Sequence, residues 1–223
     1  MIMNVGSNEA FLSELDAEVS TTLARIAEKS SAGEPGPGVT VASLLQLALK
    51  NELEATEQAA GWIARESDLN VKLALARQCG DEAKHYRLIE KRLEALGVDT
   101  STLDPRASGL SPMYIYLDSL ATTVERVAAG QFTREALATV RNEVFIEYCV
   151  AMGDHETAGL YRDVILPDER QHHELGRRLL ARFAIDEESQ SRARTASRRA
   201  LELAEEIQEM ARMKKGIARA PGC

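Results

Sequence analysis

Apolar positions recur at three- and four-residue steps along most of this 223-residue chain, which is the period of an amphipathic α-helix. The first such stretch covers 8–29. The Gly-, Pro- and Ser-rich segment Ser30–Gly38 follows it and predicts a flexible linker. Two more helices are predicted at 41–66 and 71–96, with only a short turn between them, so they should form an antiparallel pair.

The second half of the chain repeats this arrangement after a break. The segment 97–112 is rich in Asp, Ser, Pro and Gly and is long enough to cross one end of a helical bundle. A third helix is predicted over 113–152, with an interruption at Gly130. After a turn at 153–156, a fourth helix should end near Ala184.

The fold class predicted from these elements is all-α: a four-helix bundle with a long crossover between helices 2 and 3, plus additional N- and C-terminal helices. We expect three parts, namely an N-terminal helix and linker (1–40), the bundle (41–185), and a C-terminal helix and tail (186–223). Apolar positions at 190–213 alternate by three and four residues. They suit a helix laid along the bundle or paired with another subunit.

Composition narrows the function classes. Only 4% of residues are aromatic and only six are proline, which agrees with a helical chain. The net charge of −8 gives no support to a nucleic-acid partner. No apolar run approaches the roughly 20 residues that a membrane span needs, and the N-terminus lacks a secretion-signal pattern. The three cysteines lack zinc-site spacing and are odd in number, so we expect a cytoplasmic protein.

One motif, D-E-x-x-H, occurs twice, at Asp81–His85 and at Asp168–His172. On a helix, a Glu and a His three positions apart share a face, so each copy presents a carboxylate and an imidazole together. Glu82 and Glu169 both fall on predicted apolar stripes, where an unpaired charge would cost several kcal/mol. Buried carboxylates at such positions are rare unless they are paired or bind a metal. The repeat therefore predicts a metal site.

The other carboxylates follow from the geometry of antiparallel helices, in which residues equally far from the turn lie at the same height. For the first pair this points near position 53, where Glu52 and Glu54 both qualify. We choose Glu52 because it lies on the apolar stripe, whereas Glu54 shares a face with Lys50. For the second pair, a turn placed at 154–157 points to the low 140s and selects Glu143.

Two further side chains are expected to support the site, and one histidine is an alternative ligand. Asp81 and Asp168 are candidate acceptors for the ring N–H of the ligand histidine in the opposite half, which would fix its tautomer. His173 offers an alternative i, i+4 pairing with Glu169. The match to the first motif favours His172 as the ligand, with His173 exposed.

Two residues beyond Glu143 are candidates for catalysis. Glu147 lies one turn further on the same face. The alternatives for it are a seventh ligand, a mobile carboxylate, a base and a simple polar residue. Its neighbour Tyr148 is a candidate for lining a pocket beside the metals. Pro167, just before the second motif, is expected to kink its helix and to free a backbone carbonyl near the site.

These motifs resemble the ferritin-like di-metal carboxylate superfamily over about 41–184. Its members are four-helix bundles whose ligands occur in the order Glu, E-x-x-H, Glu, E-x-x-H. The resemblance implies that the two motif glutamates bridge two iron ions, or two manganese ions. The other two glutamates and the histidines then bind one metal each. The implied ligands are Glu52, Glu82, His85, Glu143, Glu169 and His172.

The leading Asp of each motif is similar to the oxygen-activating branch of that superfamily. The resemblance therefore implies a non-haem di-iron oxidase or oxygenase that activates dioxygen and oxidises a small organic substrate. We expect an electron-donor protein and a homodimer. An alternative is iron oxidation or peroxide detoxification of the ferritin or rubrerythrin kind, although no C-x-x-C pair is present for a rubredoxin-type centre. A third alternative is a metal-free helical adaptor.

Overall fold

A computed structural model describes residues 5–31 and 35–222, with side chains from Asn8 onward. Residues 1–4, 32–34 and 223 lie outside the described residues, so part of the predicted linker and Cys223 are not described. Within the described ranges the chain is helical and contains no strand. The all-α prediction is confirmed.

The helices follow the predicted order, with two π-helical segments that the sequence pattern does not indicate. Their bounds are α1 Val5–Ser31, α2 Val41–Arg65, α3 Leu69–Ala95, a short 3₁₀ turn Thr100–Thr102, α4 Pro112–Ser119, α5 Thr123–Arg126, π1 Val127–Arg134, α6 Glu135–Ala151, α7 His155–Leu160, π2 Tyr161–Ile165, α8 Leu166–Phe183 and α9 Glu187–Lys215.

The antiparallel pair of α2 and α3 agrees closely with the prediction, because its ends carry clear local signals. Thr40 and Ser43 form a reciprocal capping box at the start of α2. Asp68 caps α3 by accepting from two backbone N–H groups in its first turn. Gly97 follows α3 with φ of 84°, a conformation that favours glycine and stops the helix.

The third helix differs from the prediction at Gly130. The chain breaks instead between α4 and α5, where Thr122 and Glu125 form a new capping box. Gly130 lies inside π1, all of whose residues are buried. A Cβ at Gly130 would stand 2.7 Å from the ring of Trp62, so this glycine permits close approach rather than a break in the helix.

The fourth helix is also divided. Asp154 caps α7 through the backbone N–H of Thr157, and π2 ends two residues before Pro167. In α8, a Cβ at Gly176 would lie 2.6 Å from backbone atoms of Gln131. The backbones of α8 and π1 are therefore in direct contact.

The terminal helices pack on the same apolar cluster as the central ones. Buried side chains of α1 such as Leu12 and Ile26, and of α9 such as Ala200 and Leu203, belong to it. Helix α9 lies along π1 and α5, as expected for a helix laid along the central helices, and its pairing with another subunit stays a prediction. None of the described helices is long and apolar enough to cross a bilayer.

The segment after α9 returns to the central helices. The backbone N–H of Gly222 donates to Asn142 Oδ1 at 2.8 Å, and Asn51 Nδ2 donates to the carbonyl of Pro221 at 3.1 Å. These contacts tie the end of the described chain to α2 and α6. Cys79 and Cys149, the two cysteines within the described part of the chain, are unpaired thiols.

Candidate metal centre

Four glutamates and two histidines converge in the helical core as two overlapping groups. In each group, one nitrogen or oxygen atom from every residue lies within 4.8 Å of the others, and all the residues are buried. The groups share two residues, Glu82 and Glu169. We call them the Glu52 position (Glu52, Glu82, His85, Glu169) and the Glu135 position (Glu82, Glu135, Glu169, His172).

Four helices supply these six side chains. Helix α2 provides Glu52, α6 provides Glu135, and each motif helix provides a Glu and a His. In α3 and α8 the three-residue spacing places the carboxylate and the imidazole on the same buried face. The structure therefore brings together five of the six predicted ligands.

Each histidine is oriented by the aspartate of the opposite motif. The Nε2 atom of His85 lies 3.1 Å from Asp168 Oδ2, and that of His172 lies 3.1 Å from Asp81 Oδ2. Both predicted contacts are present. With Nε2 engaged outside the cluster, each Nδ1 faces the glutamates, as in metal sites where a carboxylate fixes the ring and its tautomer.

The carboxylate of Glu135 is held by a chain of buried side chains. Gln78 Nε2 donates to Glu135 Oε1 at 2.7 Å, and Arg134 Nη2 donates to the same oxygen at 3.1 Å. Gln131 Nε2 in turn donates to Gln78 Oε1 at 3.1 Å. The second oxygen, Glu135 Oε2, is thus left to face the cluster.

Three buried atoms of the Glu135 position have no hydrogen-bond partner among the described residues. They are Glu135 Oε2, Glu169 Oε2 and His172 Nδ1. An unpartnered buried polar atom costs about 1–3 kcal/mol, so three in one place need an explanation. Two carboxylate oxygens and an imidazole nitrogen are donor atoms that a divalent ion accepts, so the residues present fit a bound metal.

The cluster also perturbs the ionisation of its members. Burial raises the pKa of Glu52 to about 7, although His85 partly offsets this. Burial together with the neighbouring Glu82 and Glu135 raises the pKa of Glu169 well above its usual value. Burial alone would raise that of Glu82, but hydrogen bonding to His85 and the nearby positive charges lower its pKa to about 2. Crowded carboxylates with divergent pKa values are typical of functional sites.

Glu143 is not part of the cluster, which corrects its prediction as a ligand. Its side chain is 48% exposed and pairs with Arg170 at 2.7 Å. The prediction placed the turn too late in the chain. Helix α6 ends at Ala151 and Asp154 already caps α7, so the residue opposite Glu169 lies further back, at Glu135.

The corrected register also changes where the two candidate catalytic residues lie relative to the cluster. Glu147 is exposed on α6. Tyr148 is buried, but its hydroxyl donates to the carbonyl of Val39 at 3.3 Å. Of the alternatives for Glu147, the structure therefore agrees with a simple polar residue, since its carboxylate is not in the groups that could hold an ion, and the hydroxyl of Tyr148 is engaged away from the cluster.

The contacts of Glu54 and His173 show that neither side chain is a ligand. Glu54 is buried but pairs with Lys50 at 2.8 Å and accepts from the backbone of Ser111, so Glu52 alone faces the cluster from α2. His173 is not exposed as expected. Its Nδ1 lies 2.7 Å from the carbonyl of Phe132, which joins α8 to π1.

The residues that sequence reasoning missed are Glu135, its supports Gln78, Gln131 and Arg134, and Tyr161. A signal for Glu135 was present, because it begins a stripe at three- and four-residue steps that continues through Ala138 and Asn142. All three side chains are fully buried. Tyr161 gives no such signal. It is buried, its hydroxyl has no hydrogen-bond partner among the described residues, and burial and the charges of nearby acidic groups, including Glu52, raise its pKa well above the usual value.

No protein-family model, curated protein or solved structure gives a significant match to this chain. The resemblance to the ferritin-like superfamily therefore rests on the two motifs and on the arrangement of the buried side chains.

Proposed function

We propose that this protein is a ferritin-like di-metal protein acting as a non-haem di-iron oxidase or oxygenase on a small organic substrate. The observation that carries the proposal is the overlap of the two four-residue groups. They share Glu82 and Glu169, and two carboxylates common to both positions are what a bridged pair of ions requires.

The charges of the cluster support two divalent ions. Four buried carboxylates carry four negative charges when ionised, and two divalent ions neutralise them. Without such ions, two histidines and the guanidinium of Arg134, 3.8 Å from Glu82, offset part of this charge, and the raised pKa values of Glu52 and Glu169 show that crowding the four carboxylates without a cation is unfavourable. Mixed carboxylate and imidazole ligands suit iron, and manganese is the alternative.

The proposed chemistry divides between the ions and the protein. Bound ferrous ions would supply electrons for the reduction of dioxygen. Glu82 and Glu169 would hold both ions, and Asp81 and Asp168 fix the imidazoles. The six residues of the cluster are themselves at most 4% exposed, which limits the access of water.

Anaerobic loading with ferrous iron, followed by mixing with oxygen, tests this function. We expect two iron ions per chain by elemental analysis, together with oxygen consumption and a change in visible absorption. A Glu82→Ala/Glu169→Ala variant, which lacks both shared carboxylates, should bind no stoichiometric iron and should show neither the oxygen consumption nor the absorption change. Bound iron with no response to oxygen would refute the oxidase. The absence of stoichiometric metal would instead favour the helical adaptor.

The proposal includes a cytoplasmic homodimer that receives electrons from a separate protein. Native mass measurement distinguishes it from iron storage of the ferritin kind, because a storage shell contains many subunits. A dimer that keeps consuming oxygen, beyond the amount that its loaded iron can reduce, when a reductant and a substrate are supplied would support the oxygenase. A large shell that accumulates iron would overturn it.

A further inference from the structure

We infer that the two metal positions are unequal, and that the Glu135 position binds its ion more tightly because Gln78 holds Glu135 ready for it. The inference rests on the proposed di-metal function and goes beyond it. It assigns Gln78 as a positioning residue and gives an order of binding, the Glu135 position first and the Glu52 position second.

The Glu135 position has its donor atoms free for an ion. Glu135 Oε2, Glu169 Oε2 and His172 Nδ1 are buried and have no hydrogen-bond partner among the residues described. An ion that binds them removes three unfavourable buried groups. Binding is favoured when the ligands already stand in their bound arrangement.

The internal contacts of the Glu52 position are shorter than those of the Glu135 position. His85 Nδ1 lies 3.3 Å from Glu82 Oε2 and 3.5 Å from Glu52 Oε2, whereas His172 Nδ1 lies 3.6 Å from both Glu82 Oε1 and Glu169 Oε2. An ion at the Glu52 position must replace the contacts of His85 with its own. No described residue outside the cluster hydrogen-bonds to the side chain of Glu52, so its carboxylate must also be ordered on binding. Both differences weaken the second position relative to the first.

Gln78 is the central link of the support for Glu135. Its amide donates to Glu135 Oε1 at 2.7 Å and to Glu82 Oε1 at 3.3 Å, and its oxygen accepts from Gln131. Both N–H groups and the oxygen are thus engaged, which fixes the orientation of the amide. With Oε1 of Glu135 occupied in this way, Oε2 is the atom that remains for an ion.

Calorimetric titration of the metal-free protein with Mn²⁺ alone tests this, since Mn²⁺ avoids oxidation during the measurement. The wild type should show two steps of different affinity. Gln78→Leu should weaken the tighter step about 10- to 100-fold, the usual cost of losing a residue that supports a ligand. Glu52→Gln should remove the weaker step and keep the tighter one.

Gln58→Leu is the matched control. Gln58 is as buried as Gln78 and lines the same small cavity, but its amide bonds to Trp62 and to the carbonyl of Tyr114 rather than to a ligand. Both steps should stay unchanged in this variant. Gln131→Leu, one link further away, should weaken the tighter step less than Gln78→Leu, and it keeps the test open if Gln78→Leu does not fold.

The outcomes separate this inference from the function beneath it. Two Mn²⁺ steps that Gln78→Leu affects no more than Gln58→Leu would overturn the role of Gln78 and leave the di-metal proposal standing. Loss of the tighter step in Glu52→Gln would reverse the order of binding. If the wild type binds neither Mn²⁺ nor Fe²⁺, the metal centre itself is refuted.

Discussion

The metal centre has two halves, one from each pair of helices. Both halves carry the D-E-x-x-H motif, but their helices differ in backbone conformation. In the first half, α2 and α3 are regular helices that meet at the capped turn before Leu69. In the second half, each helix contains a π-helical segment, with π1 directly before Glu135 and π2 shortly before Glu169. The ligand sets nevertheless converge on the same pair of positions.

This difference separates what a motif specifies from what its surroundings specify. Three-residue spacing orients Glu and His in both halves, whereas the facing glutamate depends on how its helix is wound and where its turn lies. π-helical segments are rare and often occur at functional sites. Here π1 also carries Gln131 and Arg134, which support Glu135.

The largest expected effect tests the identity of the fourth glutamate. Glu135→Ala should lower the Mn²⁺ stoichiometry from two ions to one, because it removes a ligand from only one position. Glu143→Ala should retain both ions, and its stability should change by about 1 kcal/mol or less because its ion pair is exposed. Elemental analysis with urea unfolding measures both quantities. Two ions in Glu135→Ala would contradict the assignment.

A pair of glycine substitutions compares the backbones of the two halves. Gly176→Ala should destabilise the protein by about 1–3 kcal/mol, because its Cβ would meet the backbone of π1 at 2.6 Å. Gly80→Ala in α3 has open space around its Cβ and should stabilise by about 1 kcal/mol. Urea unfolding at equilibrium measures both. Changes of the same sign would refute the contact between α8 and π1.

Two aspartate substitutions compare the supports of the histidines. Asp81→Asn should weaken Mn²⁺ binding at the Glu135 position, and Asp168→Asn should weaken it at the Glu52 position, each by about 10- to 100-fold. Each aspartate contacts the histidine of one position only. Calorimetry that finds the same step affected by both variants would argue against this cross-pairing.

The smallest expected effect concerns two buried tyrosines. Tyr161→Phe should raise stability by about 1 kcal/mol, because it removes a buried hydroxyl that lacks a partner among the described residues. Tyr148→Phe should lower stability by up to about 1 kcal/mol, because its hydroxyl bonds to Val39. Thermal unfolding of the metal-free variants gives both values. A loss of stability in Tyr161→Phe would show that its hydroxyl is satisfied.

The sequence predicted the features that depend on local spacing. The helical period of the apolar positions located the long helices. The two motifs, including their aspartates, were identified because the residues of each motif stand at fixed intervals within one helix. Glu52 was identified because the turn at Asp68 is clearly marked. Glu143 was chosen in error because its position depended on an ill-placed turn, and π1 was missed because it is stabilised by tertiary contacts around Gly130 and Gly176.

The reciprocal bonds of Asp81 to His172 and of Asp168 to His85 also govern how α3 and α8 can slide past one another. An axial shift of one helical turn, about 5.4 Å, would break both bonds together, since each motif supplies one donor and one acceptor. The two bonds therefore fix the axial alignment of α3 and α8 without any bound ion, so the motif residues of both helices already stand at the same height for the ions that we propose.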